Sequence, residues 1–378
     1  MKARYSDPRR TQIEQVTDDI DLGDIIQEED MCVTMSHMGY IKRITPDAYA
    51  SQRRGGTGKR GQKVREDDFI EHLFVTSTHS SMLSFTNKGR VFRNKCYSIP
   101  EAGSAAKGTS IVNLLQLGEG EKVTAILPIL PDQSEGYILM ATKLGLIKKT
   151  ELSKFDNIRK TGLIALDLRG EDELITAELS SGSDEFIIAS RNGRCFRFSE
   201  TEVRSMGRTA AGMRSMRLRE DDCVVDMVKV VPGGEIVTVS DQGKGKRTPV
   251  EQYALKGRGA QGYSAMELRD ENKEELAAHL CGLKMYTGDS DLMMMRDDGM
   301  MIRFDLAAVA SSGRGTRGVI LMKVPEGTRI AAVSLVPHQE PDPSDAEESP
   351  DAEESGAGAA DSTGEGNAEN AGARPGDA

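Results

Sequence analysis

Aromatic residues are scarce in this sequence: tryptophan is absent from its 378 residues, and aromatic side chains make up 4%. Proteins stack unpaired bases on exposed rings, so this scarcity argues against a single-strand-binding protein. Long apolar runs are missing too, because no segment approaches the roughly 18 residues of a membrane span and the N-terminus has no apolar signal-peptide core. We therefore expect a soluble protein with no membrane partner.

Cysteine and histidine are also rare, with five of each. The cysteines are odd in number and widely separated along the chain, which excludes a disulfide framework and a CxxC zinc knuckle. The histidines form no HxxxH or HExxH pair, so no metal site is expected. The cysteines are best interpreted as small core residues in a reducing compartment.

The net charge of −11 is unevenly distributed along the chain. Residues 339–378 contain 12 acidic residues and one basic residue, and residues 1–30 contain 9 acidic and 4 basic residues. This leaves 44 basic against 39 acidic residues in 31–338. The body of the protein is therefore mildly basic, and its acidity does not exclude a polyanionic partner.

An internal repeat dominates the sequence. A short β-type run that ends in a glycine occurs six times, at nearly regular intervals, and a second short run follows each time. This pattern predicts six β-hairpins. The turn glycines are Gly39, Gly89, Gly145, Gly193, Gly243 and Gly299.

Four residues after each turn glycine the side chain is always basic. About 13% of the chain is lysine or arginine (49 of 378), so six matches out of six are hard to ascribe to a solvated strand face alone. We interpret this basic column mainly as phosphate contacts. Its members are Arg43, Arg93, Lys149, Arg197, Arg247 and Arg303.

Glycine recurs at positions +14 and +19 relative to the turn glycine. The first unit is expected to repeat this spacing three positions later, at Gly56 and Gly61, and in the third unit Gly162 is followed at the matching place by Asp167. The regular pairs are Gly103 and Gly108, Gly207 and Gly212, Gly257 and Gly262, and Gly313 and Gly318.

Roughly 50 residues with about four strands suit one blade of a propeller. We therefore predict an all-β fold, a six-bladed β-pinwheel that is a propeller-like ring of four-stranded antiparallel blades over 31–338. Blades are expected to start near residues 31, 81, 137, 185, 235 and 291. Residues 1–30 are predicted to be an acidic linker, and residues 339–378, which contain no aromatic or large aliphatic residue, a disordered acidic tail.

Residues 52–65 form a basic, glycine-rich segment with no acidic residue. Glycine lets a backbone approach a surface closely, and arginine and lysine bind phosphate oxygens. The segment contains GxGxxG without a convincing βαβ context, and it lacks the serine or threonine of a Walker motif, so nucleotide binding has little support. Its basic residues are Arg53, Arg54, Lys59, Arg60, Lys63 and Arg65.

Gln52-Arg53-Arg54-Gly55-Gly56-Thr57-Gly58 resembles the signature box of the C-terminal domain of DNA gyrase A, and Gly39-Tyr40-Ile41-Lys42-Arg43 resembles the first blade of that domain. The resemblance covers about 1–338, and the family is a six-bladed β-pinwheel. An intact box separates gyrase from topoisomerase IV. Thr57 stands where the family usually has lysine, so Lys59 and Arg60 are expected to make a shifted phosphate contact.

The resemblance implies that the domain wraps double-stranded DNA in a positive sense, without sequence specificity, and so enables the negative supercoiling of the whole enzyme. Implied partners are the rest of gyrase A and gyrase B, in an A2B2 complex of the bacterial cytoplasm, associated with the nucleoid. The isolated domain is expected to be a monomer. The box residues implied in DNA binding are Gln52, Arg53, Arg54, Gly55, Gly56, Gly58, Lys59, Arg60 and Lys63.

Catalytic residues are not expected in this chain. Ala3-Arg4-Tyr5-Ser6-Asp7 superficially resembles the family's tyrosine motif, but no winged-helix pattern surrounds it and the segment better resembles the exit from the upstream coiled coil. The family's ATPase lies on gyrase B, so ATP and Mg are implied only for the whole enzyme, and no cofactor is expected in this chain.

Three alternatives remain open: a topoisomerase IV-type C-terminal domain, a protein-interaction propeller, and an ATP-using enzyme supported only by the failed glycine motifs. The acidic tail also has two interpretations. It is a solubilising appendage, or it competes with DNA for the basic surface as an internal polyanion.

Overall fold

The six predicted hairpins are present in the computed structural model, which describes residues 22–36, 38–45, 59–60, 70–103, 106–259, 262–269, 276–288 and 290–338. All six turn glycines have positive φ, between 71° and 83°, a region that glycine enters without steric cost. The hairpins are β1 (Asp30–Ser36) with β2 (Tyr40–Ile44), β5 (Ser81–Thr86) with β6 (Arg90–Lys95), β9 (Tyr137–Thr142) with β10 (Leu146–Glu151), β13 (Glu185–Ser190) with β14 (Arg194–Ser199), β17 (Glu235–Ser240) with β18 (Lys244–Pro249), and β21 (Ser290–Arg296) with β22 (Met300–Asp305).

A third strand in each repeat pairs antiparallel with the first strand of its own hairpin. One position from each third strand lines a common cavity: Phe74, Leu127, Glu178, Val228, Lys284 and Ser334. These strands therefore lie nearest the centre of the ring. They are β4 (Ile70–Ser77), β8 (Val123–Ile129), β12 (Leu174–Ser180), β16 (Val224–Lys229), β20 (Leu280–Tyr286) and β24 (Ile330–Pro337).

The fourth strand of each blade is contributed by a different repeat. These strands have two residues each, and each pairs with the second hairpin strand at the outer edge of the sheet. They are β3 (Lys59–Arg60), β7 (Thr109–Ser110), β11 (Leu163–Ile164), β15 (Met213–Arg214), β19 (Tyr263–Ser264) and β23 (Val319–Ile320). The six four-stranded antiparallel sheets confirm the predicted propeller; the exchange of the outer strand was not predicted.

The exchange runs around the ring in one direction. Blades 1 to 5 take β7, β11, β15, β19 and β23 from the repeat that follows, and blade 6 takes β3 from the first repeat. Lys59 pairs with Met301 and Arg60 with Met300. The segment that bears the basic box thus completes the last blade and joins the two ends of the propeller.

Among the described residues the hydrophobic core is divided into six clusters, and each lies between two adjacent blades. Eleven buried residues fill the cluster between blades 1 and 2, among them Met35 and Phe92. Leu115 and Leu321, which lie in two of these clusters, are 3% and 0% exposed. The cluster between blades 6 and 1 is the smallest, with Cys32, Ile44, Met293, Met295, Met301 and Val336. A single blade leaves its apolar faces uncovered, so the repeats stabilise one another.

Helical structure is limited to one turn of α-helix, α1 (Leu22–Ile25), and short 3-10 turns within the described ranges. None of the helices in the described residues is long and apolar enough to cross a membrane. The chain divides into two units, Met1–Glu340 and Pro341–Ala378. Most of the predicted linker (residues 1–21) and the predicted tail (residues 339–378) lie outside the described residues. The 3-10 turns are Cys96–Ser98, Ile111–Asn113, Leu152–Phe155, Glu200–Glu202, Val250–Gln252 and Leu306–Ala308.

Candidate nucleic-acid interface

The structure describes two residues of the predicted DNA-binding box, Lys59 and Arg60, as strand β3 at the outer edge of blade 6. The other predicted residues of this segment lie outside the described residues, so their role in DNA binding stays a prediction. They are Gln52, Arg53, Arg54, Gly55, Gly56, Gly58 and Lys63. The possible tyrosine motif around Tyr5 also lies outside the described residues.

The pairing of β3 corrects the glycine register of the first repeat. A glycine directly precedes the outer strand in blades 1 to 5: Gly108, Gly162, Gly212, Gly262 and Gly318. By the same register the counterpart in the first repeat is Gly58, at position +19 from Gly39, and not Gly61. The expected three-residue shift is therefore wrong. The pairing of β11 with β6 likewise makes Gly162 the second glycine of its loop. This loop is two residues shorter than the others.

The second glycine of each loop is required by the backbone. Gly212 has a φ of 93°, and a Cβ added there would lie 2.6 Å from the carbonyl oxygen of Ile147. Gly108 has a φ of 86°, and an added Cβ would lie 2.7 Å from the carbonyl oxygen of Ile41. The first glycine is not required in this way, because an added Cβ on Gly207 meets nothing within 4 Å. A residue such as Arg53, which occupies the first position in the first repeat, is compatible with this register.

The basic column lies where one repeat meets the next. The backbone carbonyl groups of Lys149, Arg197 and Arg247 accept hydrogen bonds of 2.8 Å from the loop of the following repeat. The side chains turn back across their own hairpins, and four of the six reach a polar or acidic residue twelve positions earlier in the first strand. The pairs are Arg93 with Ser81, Arg197 with Glu185, Arg247 with Glu235, and Arg303 with Asp291.

Two members of the column are buried, which favours a structural role for them over the phosphate contacts that the sequence indicated. Arg303 is 4% exposed and Lys149 is 7% exposed, so a phosphate has almost no surface to approach. Lys149 Nζ lies 3.6 Å from Glu200 Oε2, and Arg43 Nη1 lies 3.2 Å from Glu101 Oε2. Arg93 is the exposed member, and it is the one that leaves most room for a phosphate contact.

A different set of cations lies in the loops between the paired glycines. Arg208, Arg258 and Arg314 each directly follow the first glycine of a loop, and Arg54 occupies the same register in the box. All three described arginines are partly exposed. Sequence reasoning aligned the glycines but missed this arginine, although the Gly-Arg dipeptide repeated at one register was the available signal.

Hydrogen bonds join these loops from blade to blade. The N–H of Asp167 donates to the carbonyl of Ala210 (3.3 Å), the N–H of Gly259 to that of Ser215 (2.6 Å), and the N–H of Glu267 to that of Thr316 (3.1 Å). The loops of blades 2 to 5 therefore form one continuous outer band. We call this set of segments, residues 159–169, 207–219, 257–259, 262–269 and 313–322, the outer band.

Aromatic side chains contact some of the cations in and beside the glycine loops. The ring of Tyr263 has Lys256 Nζ at 3.9 Å and the Arg314 guanidinium at 4.6 Å from its centroid. Lys107 Nζ lies 3.6 Å from the centroid of Tyr40. Cation–π attraction orients cations without neutralising them.

Three buried lysines lie beneath the loops. Lys42, Lys148 and Lys246 are 0–1% exposed, one position before the basic column. Burial lowers the pKa of each ammonium group to about 8. Their Nζ atoms donate to backbone carbonyls, which favours the charged form. The ammonium form therefore dominates at neutral pH.

One group of ligand-type side chains, Asp291, Asp305 and His338, lies close together at the end of blade 6. Both carboxylate oxygens of Asp291 already accept hydrogen bonds, from Arg303 Nε at 2.8 Å and from His338 Nδ1 at 2.7 Å. This arrangement is typical of an ion-pair cluster rather than of an open cation site.

The family model described as DNA gyrase C-terminal domain, beta-propeller, matches the chain over residues 30–77, 80–129, 136–181, 184–230, 234–278 and 290–337. The chain is 41% identical over 336 residues to DNA gyrase A of Clostridium acetobutylicum, covering 89% of this chain and 40% of that protein. It is 40% identical over 339 residues to DNA gyrase A of Salmonella typhimurium, covering 89% of this chain and 38% of that protein. It therefore spans about two fifths of the length of these relatives.

Two solved structures are similar in fold. A DNA gyrase A C-terminal domain superposes with a TM-score of 0.72 at 24% identity, covering 81% of this chain and 99% of that chain. The C-terminal domain of a DNA topoisomerase IV superposes with a TM-score of 0.64 at 23% identity, covering 82% of this chain and 94% of that chain.

Proposed function

Because the chain belongs to the β-propeller family of DNA gyrase C-terminal domains, we propose that it binds double-stranded DNA and wraps it in a positive sense around its outer loops. The observation that carries this proposal is the outer band, in which Arg208, Arg258 and Arg314 recur at one register on three successive blades. Arginine beside glycine suits phosphate oxygens and does not read bases. Sequence preference would then come from how easily the DNA bends.

The wider role of the chain follows from its relatives. We propose that it is a non-catalytic part of a DNA gyrase, that it acts with the rest of gyrase A and with gyrase B in an A2B2 complex in the cytoplasm, and that wrapping enables negative supercoiling. ATP and Mg would serve the whole enzyme, with no cofactor held by this chain. The order of Gln52 to Gly58, which departs from the family's signature box only at Thr57, favours this role over a topoisomerase IV-type role.

The test is the change in linking number that the protein imposes on DNA. Relaxed circular DNA is incubated with the protein, treated with a nicking-closing topoisomerase, stripped of protein and separated on a gel. Positive shifts that rise with protein concentration are expected. They should vanish when Arg53, Arg54, Lys59 and Arg60 become Ala.

Two further variants sharpen this test. R208A/R258A/R314A should reduce the shift in linking number. It should also make the negative slope of log affinity against log salt concentration shallower, by about 0.9 for each phosphate that is no longer bound. Arg329→Ala serves as the control, since this cation is 70% exposed and lies outside the outer band. DNA binding without a shift in linking number would contradict wrapping and leave a propeller that holds DNA without bending it.

A further inference from the structure

Buried lysines alternate with apolar residues around the ring. Three residues after the turn glycine, repeats 1, 3 and 5 carry Lys42, Lys148 and Lys246, all 0–1% exposed. Repeats 2, 4 and 6 carry Phe92, Phe196 and Ile302 at the same register, 0–2% exposed. Burying a charge costs free energy of folding unless the charge is paired or hydrogen-bonded, so the buried lysines need a physical explanation.

The partners of these ammonium groups are mainly backbone carbonyls of the glycine loops. Lys42 Nζ donates to Gly103 O at 3.0 Å and to Ala106 O at 3.1 Å. Lys148 Nζ donates to Arg208 O and, at 2.6 Å, to Ala165 O. Lys246 Nζ donates to Gly313 O at 2.7 Å and to Arg314 O at 2.5 Å. Each lysine thus holds the loop of the following repeat.

The direction of a carbonyl fixes the direction of the next amide. In a trans peptide unit the C=O and the following N–H point to opposite sides. Because the carbonyl of Arg208 points inward to Lys148, the N–H of Thr209 points outward. The carbonyl of Arg314 points inward to Lys246, so the N–H of Gly315 also points outward. Neither N–H has a hydrogen-bond partner among residues 106–259 and 290–338, and both residues are exposed.

We propose that Lys148 and Lys246 are positioning residues, which turn one peptide unit of each loop so that the N–H groups of Thr209 and Gly315 donate to phosphate oxygens of bound DNA. This inference rests on the proposed function. The arginine side chain next to each amide completes a site for one phosphate, as a pair of backbone and guanidinium donors. Such sites would occur in blades 3 and 5, and Lys42 holds the corresponding loop in blade 1.

The alternation gives the wrapping surface two kinds of loop. In blades 1, 3 and 5 a buried ammonium fixes the loop backbone before DNA arrives, so little ordering is lost on binding. In blades 2 and 4 the register is apolar, and the loop cations act from their side chains alone. The phosphate backbone would therefore meet a rigid site at every second blade.

The test compares K148M/K246M with F196M/I302M, which places methionine at the same register in the other repeats. Affinity for a labelled DNA duplex is measured by fluorescence anisotropy over a series of salt concentrations. The lysine variant should bind DNA more weakly, by five- to tenfold for each of the two altered loops, since about 1 kcal/mol is typical of one hydrogen bond. Its salt slope should stay unchanged, because the lysines touch no phosphate themselves. The F196M/I302M variant should match the unmodified protein.

Two results would overturn the inference. Unchanged affinity would show that the loops need no anchor, and a slope reduced by about 1.8 would show that both lysines contact phosphates directly. If the unmodified protein itself fails to bind the duplex, the proposed function fails instead, and the two failures are thereby distinguished.

A second variant covers the case in which K148M does not fold. Replacing Thr209 by its α-hydroxy acid converts the amide between Arg208 and Thr209 to an ester, which removes the N–H and also makes the Arg208 carbonyl a weaker acceptor for Lys148. This change should weaken binding as much as K148M does, and the two changes together should cost no more than either alone. Losses that simply add would show that the lysine and the amide act independently, and would overturn the inference.

Discussion

Arg303 and Asp291 form a buried ion pair across the hairpin of blade 6, with Arg303 Nε 2.8 Å from Asp291 Oδ2 and side chains 4% and 0% exposed. The same twelve-residue separation joins Arg197 to Glu185 and Arg247 to Glu235. These partners lie diagonally across neighbouring strands on one face of the sheet, where side chains of opposite charge attract. A basic residue at this register therefore stabilises the blade from within.

Arg303→Ala is expected to destabilise the protein by about 3 kcal/mol, because it leaves the buried carboxylate of Asp291 without its guanidinium. Arg93→Ala, at the same register but exposed, should cost less than about 0.5 kcal/mol. Urea unfolding followed by circular dichroism measures both. If Arg303→Ala keeps its stability and instead lowers the salt slope of DNA binding, the column contacts phosphates after all.

The sixfold sequence repeat predicted most of the fold. Six turn glycines at nearly regular intervals predict six hairpins, because a hairpin turn with positive φ selects glycine. The exchange of the outer strand could not be predicted in this way. Those strands have two residues, such as Thr109–Ser110, which is too short for any alternating pattern to show.

The candidate site was harder to predict than the fold. Arg303 is as basic in the sequence as Arg208, but only packing shows that the first is buried against Asp291 and the second lies in a loop. The acidic residue twelve positions before Arg197, Arg247 and Arg303 was the signal that could have separated them. Buried lysines such as Lys148 had no such signal, because their partners are backbone carbonyls, which every residue carries.

The two glycines of one loop should respond differently to a methyl group. Gly212→Ala forces an alanine to positive φ and into the carbonyl of Ile147, so a loss of about 2 kcal/mol or more is expected. Gly207→Ala meets no atom within 4 Å, so its effect should stay within about 0.5 kcal/mol. Thermal unfolding of the two variants compares them directly, and equal losses would show that the register assigned to the glycines is wrong.

Lys148 makes stability depend on pH in the alkaline range. Its pKa is about 8 in the folded protein against 10.5 as its ordinary value, so the unfolded chain binds more protons between these values. Stability should therefore rise with pH across this window, with a slope of at most about 1.4 kcal/mol per pH unit. Below pH 8 the ammonium is charged in both states and this contribution is lost.

Unfolding in urea from pH 7.5 to 10.5 tests this dependence. The difference in unfolding free energy between the unmodified protein and K148M should grow with pH, whereas Lys154→Met, at a side chain that is 57% exposed, should leave the curve parallel to that of the unmodified protein. Parallel curves for K148M as well would mean that Lys148 keeps its ordinary pKa.

The acidic C-terminal segment is expected to compete with DNA for the basic loops. Residues 339–378 carry a net charge of −11, and residues 1–338 contain 48 residues of each sign, so removal of the segment brings the net charge to zero. Residues 1–338 should therefore bind duplex DNA severalfold more tightly than residues 1–378 at low salt. The two affinities should converge as salt screens both interactions.

The control is a chain of full length whose 12 acidic residues after position 338 are changed to Asn or Gln, which should bind like residues 1–338. If that neutral chain instead binds like residues 1–378, or if affinities are equal at every salt concentration, the charge of the segment does not compete with DNA.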